Sequence, residues 1–113
     1  MEDRLGEATW REKLRYWLGL LRPLAVTGDS MTPEIRDGDV VLYEPTSEVA
    51  VGDVVFVSHP YMQSVKLVKR VREIDADGKL FLIGDNESES TDSRTLGWFS
   101  AGAVQGRIIC RLR

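Results

Sequence analysis

The chain changes its hydrophobic rhythm once, at Pro23. Before it, Trp10, Leu14, Trp17, Leu18 and Leu21 recur at helical spacing, with Arg11, Arg15 and Arg22 among the polar positions. Thr9-Trp10-Arg11-Glu12 has the Thr-x-x-Glu form of a capping box, in which two side chains satisfy opposing backbone donors. After a polar start over residues 1–8, the pattern predicts one amphipathic helix, closed by Pro23. Beyond Pro23 the period becomes two, the signature of strands. Strands are expected over 24–27, 39–43, 54–57, 64–74, 79–83 and 104–112. Asp75-Ala76-Asp77-Gly78 is a strong hairpin signal, with Gly78 at the residue that needs positive φ. Residues 85–97 read as a polar loop. The division is a helical segment, 1–23, and a mainly β domain, 24–113.

One turn between strands carries candidate chemistry. Val26-Thr27-Gly28-Asp29-Ser30-Met31-Thr32-Pro33, continuing to Asp37-Gly38-Asp39, reads as a strand end, a tight turn with a serine, and a second turn. Gly28 permits a backbone conformation closed to other residues, and Pro33 biases Thr32 towards extended geometry. A serine on such a turn suits nucleophilic chemistry, but it needs a base. It equally suits capping the short turn 32–36 through a backbone N–H. Local sequence leaves both roles of Ser30 open.

The usual base is scarce, for the single histidine, His59, falls in the loop Ser58-His59-Pro60-Tyr61 and reads as structural. The other source of a base is Val65-Lys66-Leu67-Val68-Lys69-Arg70-Val71. Side chains alternate along a strand, so Lys69 shares a face with Leu67 and Val71, opposite Lys66, Val68, Arg70 and Arg72. Desolvation there disfavours the ammonium, and a lysine neutral near pH 7–8 accepts a proton from a serine hydroxyl. The alternative is a lysine whose head snorkels to water.

Bulk properties narrow the field. A chain of 113 residues suits one domain with a single core, and 42% hydrophobic with 29% charged residues is ordinary for a soluble protein. A net charge of −3 gives no general pull towards nucleic acid. One cysteine, Cys110, excludes an internal disulfide framework, and with a single histidine no metal site is expected. The longest early apolar run, Tyr16 to Leu21, is too short to span a bilayer. A cytoplasmic protein is expected, with peripheral membrane contact through residues 9–22 as the most the helix allows. Docking of that helix on its own domain or on a second subunit is the favoured alternative.

Three stretches together resemble successive boxes of the type I signal peptidases, serine proteases with a Ser/Lys dyad. They are Gly28-Asp29-Ser30-Met31-Thr32-Pro33, then Lys69-Arg70, then the run Gly84-Asp85-Asn86 through Ser90-Thr91-Asp92-Ser93-Arg94 to Gly97. The resemblance covers residues 24–112. Small size, the run ending Gly97-Trp98 and the close Gly106-Arg107-Ile108-Ile109-Cys110-Arg111 make the chain most similar to the nickel-type superoxide dismutase maturation protease branch.

That resemblance implies a small coiled, partly barrel-like β-sheet domain, shared with self-cleaving repressors, and a serine endopeptidase needing no cofactor. It implies Ser30 as nucleophile, Lys69 as base and Ser90 as the serine orienting the lysine. The N–H of Ser30 would begin an oxyanion hole, with Gly28 where many relatives carry a second, side-chain donor. Asp92 and Arg94, with Arg70, would fix the loop, while Asp85 and Asn86 would bond backbone at the hairpin end. Ser88 and Ser93 read as ordinary loop serines. Met31 would flank the substrate cleft, unless it is core filler. The Gly-x-Pro-Gly-Asp usual after Lys-Arg is replaced by Arg72 to Gly78, read as a shortened connection. The implied substrate is a leader-bearing precursor, foremost that of nickel superoxide dismutase. The alternatives are a generic signal peptidase acting on exported proteins and a self-cleaving repressor-like domain.

Overall fold

The computed structural model describes residues 6–62, 64–86, 88 and 91–112. Six strands form one antiparallel sheet: β1 (Arg22–Ala25), β2 (Val40–Glu44), β3 (Val54–Ser58), β4 (Lys66–Ile74), β5 (Leu80–Ile83) and β6 (Val104–Arg111). Their order across the sheet is β1-β2-β6-β3-β4-β5. Every strand expected from the period of two is present, within two residues at each end. The sheet is bent by irregularities between Leu42 and Tyr43, Phe56 and Val57, and Val71 and Glu73. It stays open, with β1 and β5 as its edges, so the expected barrel character does not extend to closure.

Strand β3 explains the core. Val54, Val55, Phe56 and Val57 are all buried, so neither face of this strand meets water. Val54 and Phe56 belong to one cluster with Val26, Met31, Ile35, Val41 and Ile108. Val55 and Val57 belong to another with Val71, Leu80, Leu82, Phe99 and Val104. The serine turn is thus bolted to the sheet by the side chains of Met31 and Ile35. The β4–β5 hairpin turns at Gly78, φ +82°, as its sequence required.

The helix α1 spans Trp10–Trp17. Its start is as expected: the Glu12 carboxylate accepts hydrogen bonds from the Thr9 N–H at 3.1 Å and the Thr9 hydroxyl at 2.7 Å. These bonds hold Glu12 below the usual carboxylate range. Its end is not where Pro23 suggested. Gly19, φ +75°, sits just past the last turn, where the left-handed conformation stops a helix. Pro23 lies inside β1, an edge strand that tolerates a missing donor.

Docking of α1 on its own domain through the apolar stripe is not what the fold contains. No residue of the helix is buried, and Trp10 and Trp17 are 70% and 86% exposed. The attachment is polar instead. Arg15 pairs with Glu44 at 3.0 Å, and the backbone of residues 6–8 runs beside Arg111 of β6. Among the described residues no helix is long and apolar enough to cross a membrane.

Candidate active site

Ser30 opens a turn that three separate stretches hold in place. Gly28, at φ +86°, lets the chain reverse after β1, and its N–H donates to Asp37 Oδ1 at 2.8 Å. Within the turn, the Thr32 N–H and hydroxyl both donate to the carbonyl of Asp29. The third stretch is distant in sequence. The Asn86 N–H donates to the Ser30 carbonyl at 2.8 Å, and its side-chain Nδ2 donates to the Asp29 carbonyl and the Thr32 hydroxyl at 3.1 and 2.9 Å. Asn86 therefore clamps the serine turn, where sequence reasoning expected it to bond at the hairpin end.

Lys69 lies opposite Val55 in the β3–β4 ladder and is 2% exposed. Burial pushes its ammonium pKa below the ordinary lysine value; the nearby Asp92 carboxylate acts the other way, and Arg94 again lowers it. Burial is the largest of the three, because removing an ammonium from water costs more than one compensated carboxylate returns. Asp92 is compensated: Arg94 binds it with two bonds, Nε to Oδ1 at 3.0 Å and Nη2 to Oδ2 at 2.6 Å. The same carboxylate accepts from the N–H of Gly84 and, as the cap of α2 (Ser93–Leu96), from the N–H of Arg94. Asp92 is thus a structural hub that a spaced-motif reading identified only as a loop-fixing residue.

Ser30 and Lys69 line one cleft of about 370 Å³. Its walls are residues 24–27, at the end of β1, and residues 64–69, at the start of β4. Consecutive residues of both walls face the cleft, so it follows strand edges and not strand faces. Among the described residues, β1 pairs with no strand but β2, and β4 meets β5 only from Arg70 onward. A cleft between two strand edges that no described strand covers suits an extended peptide, which such edges bind through backbone donors and acceptors.

The remaining expected residues fall as follows. Arg70 holds Asp85 through two bonds of 2.9 Å and reaches the Gly52 carbonyl at 2.8 Å, so Asp85 meets a side chain and not the hairpin backbone. Met31 is core, packed with Ile35 and Phe56, and is not among the residues lining the cleft. Gly28 has already committed its N–H to Asp37, which removes it as a backbone donor to an oxyanion. Ser90 lies outside the described residues. Ser93 is no ordinary loop serine: it is buried, and its hydroxyl accepts from the Leu82 N–H at 2.8 Å. His59 is buried, its Nδ1 accepting from the N–H groups of Tyr61 and Met62, which makes it a turn-holding residue. Cys110 is buried beside Leu21 and Leu42, and burial pushes its thiol pKa up. Among the described residues no cluster of histidine, cysteine and carboxylate side chains forms a metal site.

Comparison with known proteins decides the family. Residues 18–109 match the Peptidase S24-like family. The chain belongs to that family. Its curated relatives include mitochondrial inner membrane protease subunit 1 of Xenopus tropicalis, 31% identical over 109 residues, covering 76% of this chain and 65% of that protein. The same subunit of Homo sapiens is 29% identical, covering 76% of this chain and 66% of its own length. The chain spans less than two thirds of the length of these relatives. For this Peptidase S24-like domain the match begins at Leu18 and ends at Ile109, so it includes β1 to β5 and most of β6 and excludes α1.

Proposed function

We propose that this chain is a serine endopeptidase in which Ser30 is the nucleophile and Lys69 the general base. The observation that carries the reading is the shared cleft, with a lysine on its wall that is 2% exposed and shifted towards the neutral amine. An extended peptide lies between the edges of β1 and β4. Neutral Lys69 takes the Ser30 proton as Oγ attacks the peptide carbonyl. Backbone N–H groups of the turn, beginning with that of Ser30, face the developing oxyanion. Collapse breaks the C–N bond, and Lys69 returns the proton to the departing amine. A water molecule, deprotonated by Lys69, then attacks the acyl-enzyme and frees Ser30. The Asn86 clamp fixes where Oγ points, and Arg94 keeps Asp92 from holding Lys69 in its charged form.

The substrate in this reading is the leader segment of a protein precursor. The relatives, named as inner membrane protease subunits, favour leader removal at a membrane over maturation of a nickel superoxide dismutase precursor, for which the sequence resemblance is the support. The exposed face of α1 favours the same surface. Trp10, Leu14, Trp17 and Leu18 stand in solvent, flanked by Arg11 and Lys13, the composition of a helix lying in a membrane interface.

The test incubates purified protein, with and without anionic vesicles, with two precursors: one bearing an export-type leader, the other the dismutase leader. Cleavage by the wild type, and its loss in Ser30→Ala and Lys69→Ala proteins that remain folded, supports the dyad. Undiminished cleavage by either variant overturns it. Which precursor is cut decides between the two substrates.

A further inference from the structure

His59, the single histidine of the chain, is 7% exposed and bonded through both its ring and its backbone. Nδ1 accepts from the N–H groups of Tyr61 and Met62, each at 3.1 Å. The Met62 carbonyl accepts from the Val65 N–H at 2.8 Å, and the Val65 carbonyl accepts from the His59 N–H at 2.9 Å. These bonds run in a circuit, out from the imidazole and back to the backbone of the same residue. Val65 links the circuit to the cleft. It immediately precedes β4 and, with the residues that follow it up to Lys69, forms the wall facing Ser30.

Two backbone donors at Nδ1 fix the state of the ring: the proton sits on Nε2 and the imidazole is neutral. An imidazolium carries a proton on each nitrogen and accepts nothing. Protonation therefore turns Nδ1 into a donor facing two donors, and both bonds break. Tyr61 and Met62 are exposed, so water can take over their N–H groups. The imidazole then no longer holds Met62, whose carbonyl carries the Val65 N–H. Charge acts in the same direction. His59 shares the wall of a cavity of about 540 Å³ with Lys66 of β4, and the Tyr61 ring lies 6.1 Å from its own. Among the described residues on that wall and in the turn, these are the titratable groups. A second cation there repels Lys66.

We propose that neutral His59 is a positioning residue for the peptide groove: through Met62 and Val65 it sets the front of β4 along the cleft, and protonation of its ring releases that wall. This rests on the reading of the cleft as a peptide groove. A histidine that only fills space would titrate without moving β4.

The first measurement needs no substrate. With one histidine in the chain, its ring nitrogens and the backbone amides are followed by NMR from pH 8 to 5, the range in which histidine side chains change charge. The Nε2–H tautomer should hold at pH 8, and the amides of Tyr61, Met62 and residues 65–68 should shift with the midpoint of the ring. In the second measurement, anisotropy follows a fluorescent twelve-residue leader-junction peptide, with blocked ends and no ionisable side chain, on the Ser30→Ala protein. Binding should weaken on the order of three- to ten-fold between pH 8 and 5, the worth of one net hydrogen bond. His59→Asn supplies an oxygen that accepts from the backbone two residues on and does not titrate. It should restore the binding that His59→Ala loses at pH 8, and lack the part of the acid step due to the ring. Lys66→Met should keep that step, and thermal unfolding checks that each variant folds. An Nδ1–H tautomer, amides of residues 65–68 that ignore the ring, or a step undiminished in His59→Asn overturns the positioning role. So does a step that vanishes in Lys66→Met, which would assign it to charge repulsion alone. Coupled shifts with no peptide binding leave the latch standing and refute the groove. Binding and cleavage without coupled shifts do the reverse.

Discussion

Replacing Lys69 by methionine should stabilise this protein at pH 7 while removing its proposed base. Lys69 is 2% exposed, and burial is the largest influence on its pKa, which lies below the ordinary value of 10.5. The unfolded chain therefore binds more protons than the native one at any pH between the two pKa values, so wild-type stability rises with pH across that window. Below the native pKa the full cost of burying or neutralising the amine is present. Methionine keeps the unbranched stem, does not titrate and pays no such cost. Exchanging buried charged groups for apolar ones typically gains about 1–4 kcal/mol. The lower end applies here, because the Asp92 carboxylate offsets part of the desolvation. A gain of about 1 kcal/mol raises the melting temperature of a domain this size by roughly 4–6 °C. The assay is thermal and urea unfolding of both proteins from pH 6 to 10. The advantage of the variant should be largest at the acid end and shrink towards pH 10. A variant less stable than the wild type at pH 7, or an advantage that grows with pH, would mean that the site favours an ammonium. The general-base role would fall with it.

Asn86→Ala removes the side-chain bonds to the Asp29 carbonyl and the Thr32 hydroxyl, at about 0.5–1.5 kcal/mol each. Stability should drop by roughly 1–3 kcal/mol in urea unfolding, with kcat falling more than KM rises, because the turn carrying Ser30 loosens. Asp92→Asn breaks a carboxylate–guanidinium pair whose acid is 1% exposed, and should cost about 2–3 kcal/mol, moderated by the partial exposure of Arg94. Asp92 raises the Lys69 pKa, so its loss should move the acidic limb of the kcat/KM profile to lower pH. A limb moving upward would contradict the assigned electrostatics. Wild-type protein should float with vesicles containing anionic phospholipid, whereas Trp10→Ala/Trp17→Ala should stay in the aqueous fraction. Equal flotation would remove α1 as the contact.

The residues that could be read in advance are those whose state depends on close neighbours. The Thr9–Glu12 cap spans one helical turn, and Gly78 closes a hairpin between adjacent strands. The burial of Lys69 followed from parity, since Leu67 and Val71 share its face and both belong to a hydrophobic cluster. Where two local signals competed, the wrong one was preferred. Gly19 and Pro23 both break helices, and it was the nearer glycine that ended α1. Met31 was legible as apolar but not as core or cleft, because that choice depends on what the turn packs against. Gly106 gave no signal, yet a Cβ there would run into the Tyr43 ring and crowd the Glu44 carbonyl across the β2–β6 bulge.

By itself, then, the chain determined its strands, the hairpin, the helix cap and the side of β4 that must be buried. Each is settled by interactions within a few residues, where period and propensity act. Only the assembled sheet decided that the end of β1 and the front of β4 would flank one cleft with edges that no other described strand covers. Only it brought Asn86 onto the serine turn and paired Asp85 with Arg70. Those contacts join residues far apart in sequence, and they depend on strand order and on bulges that shift register, neither of which a local pattern records.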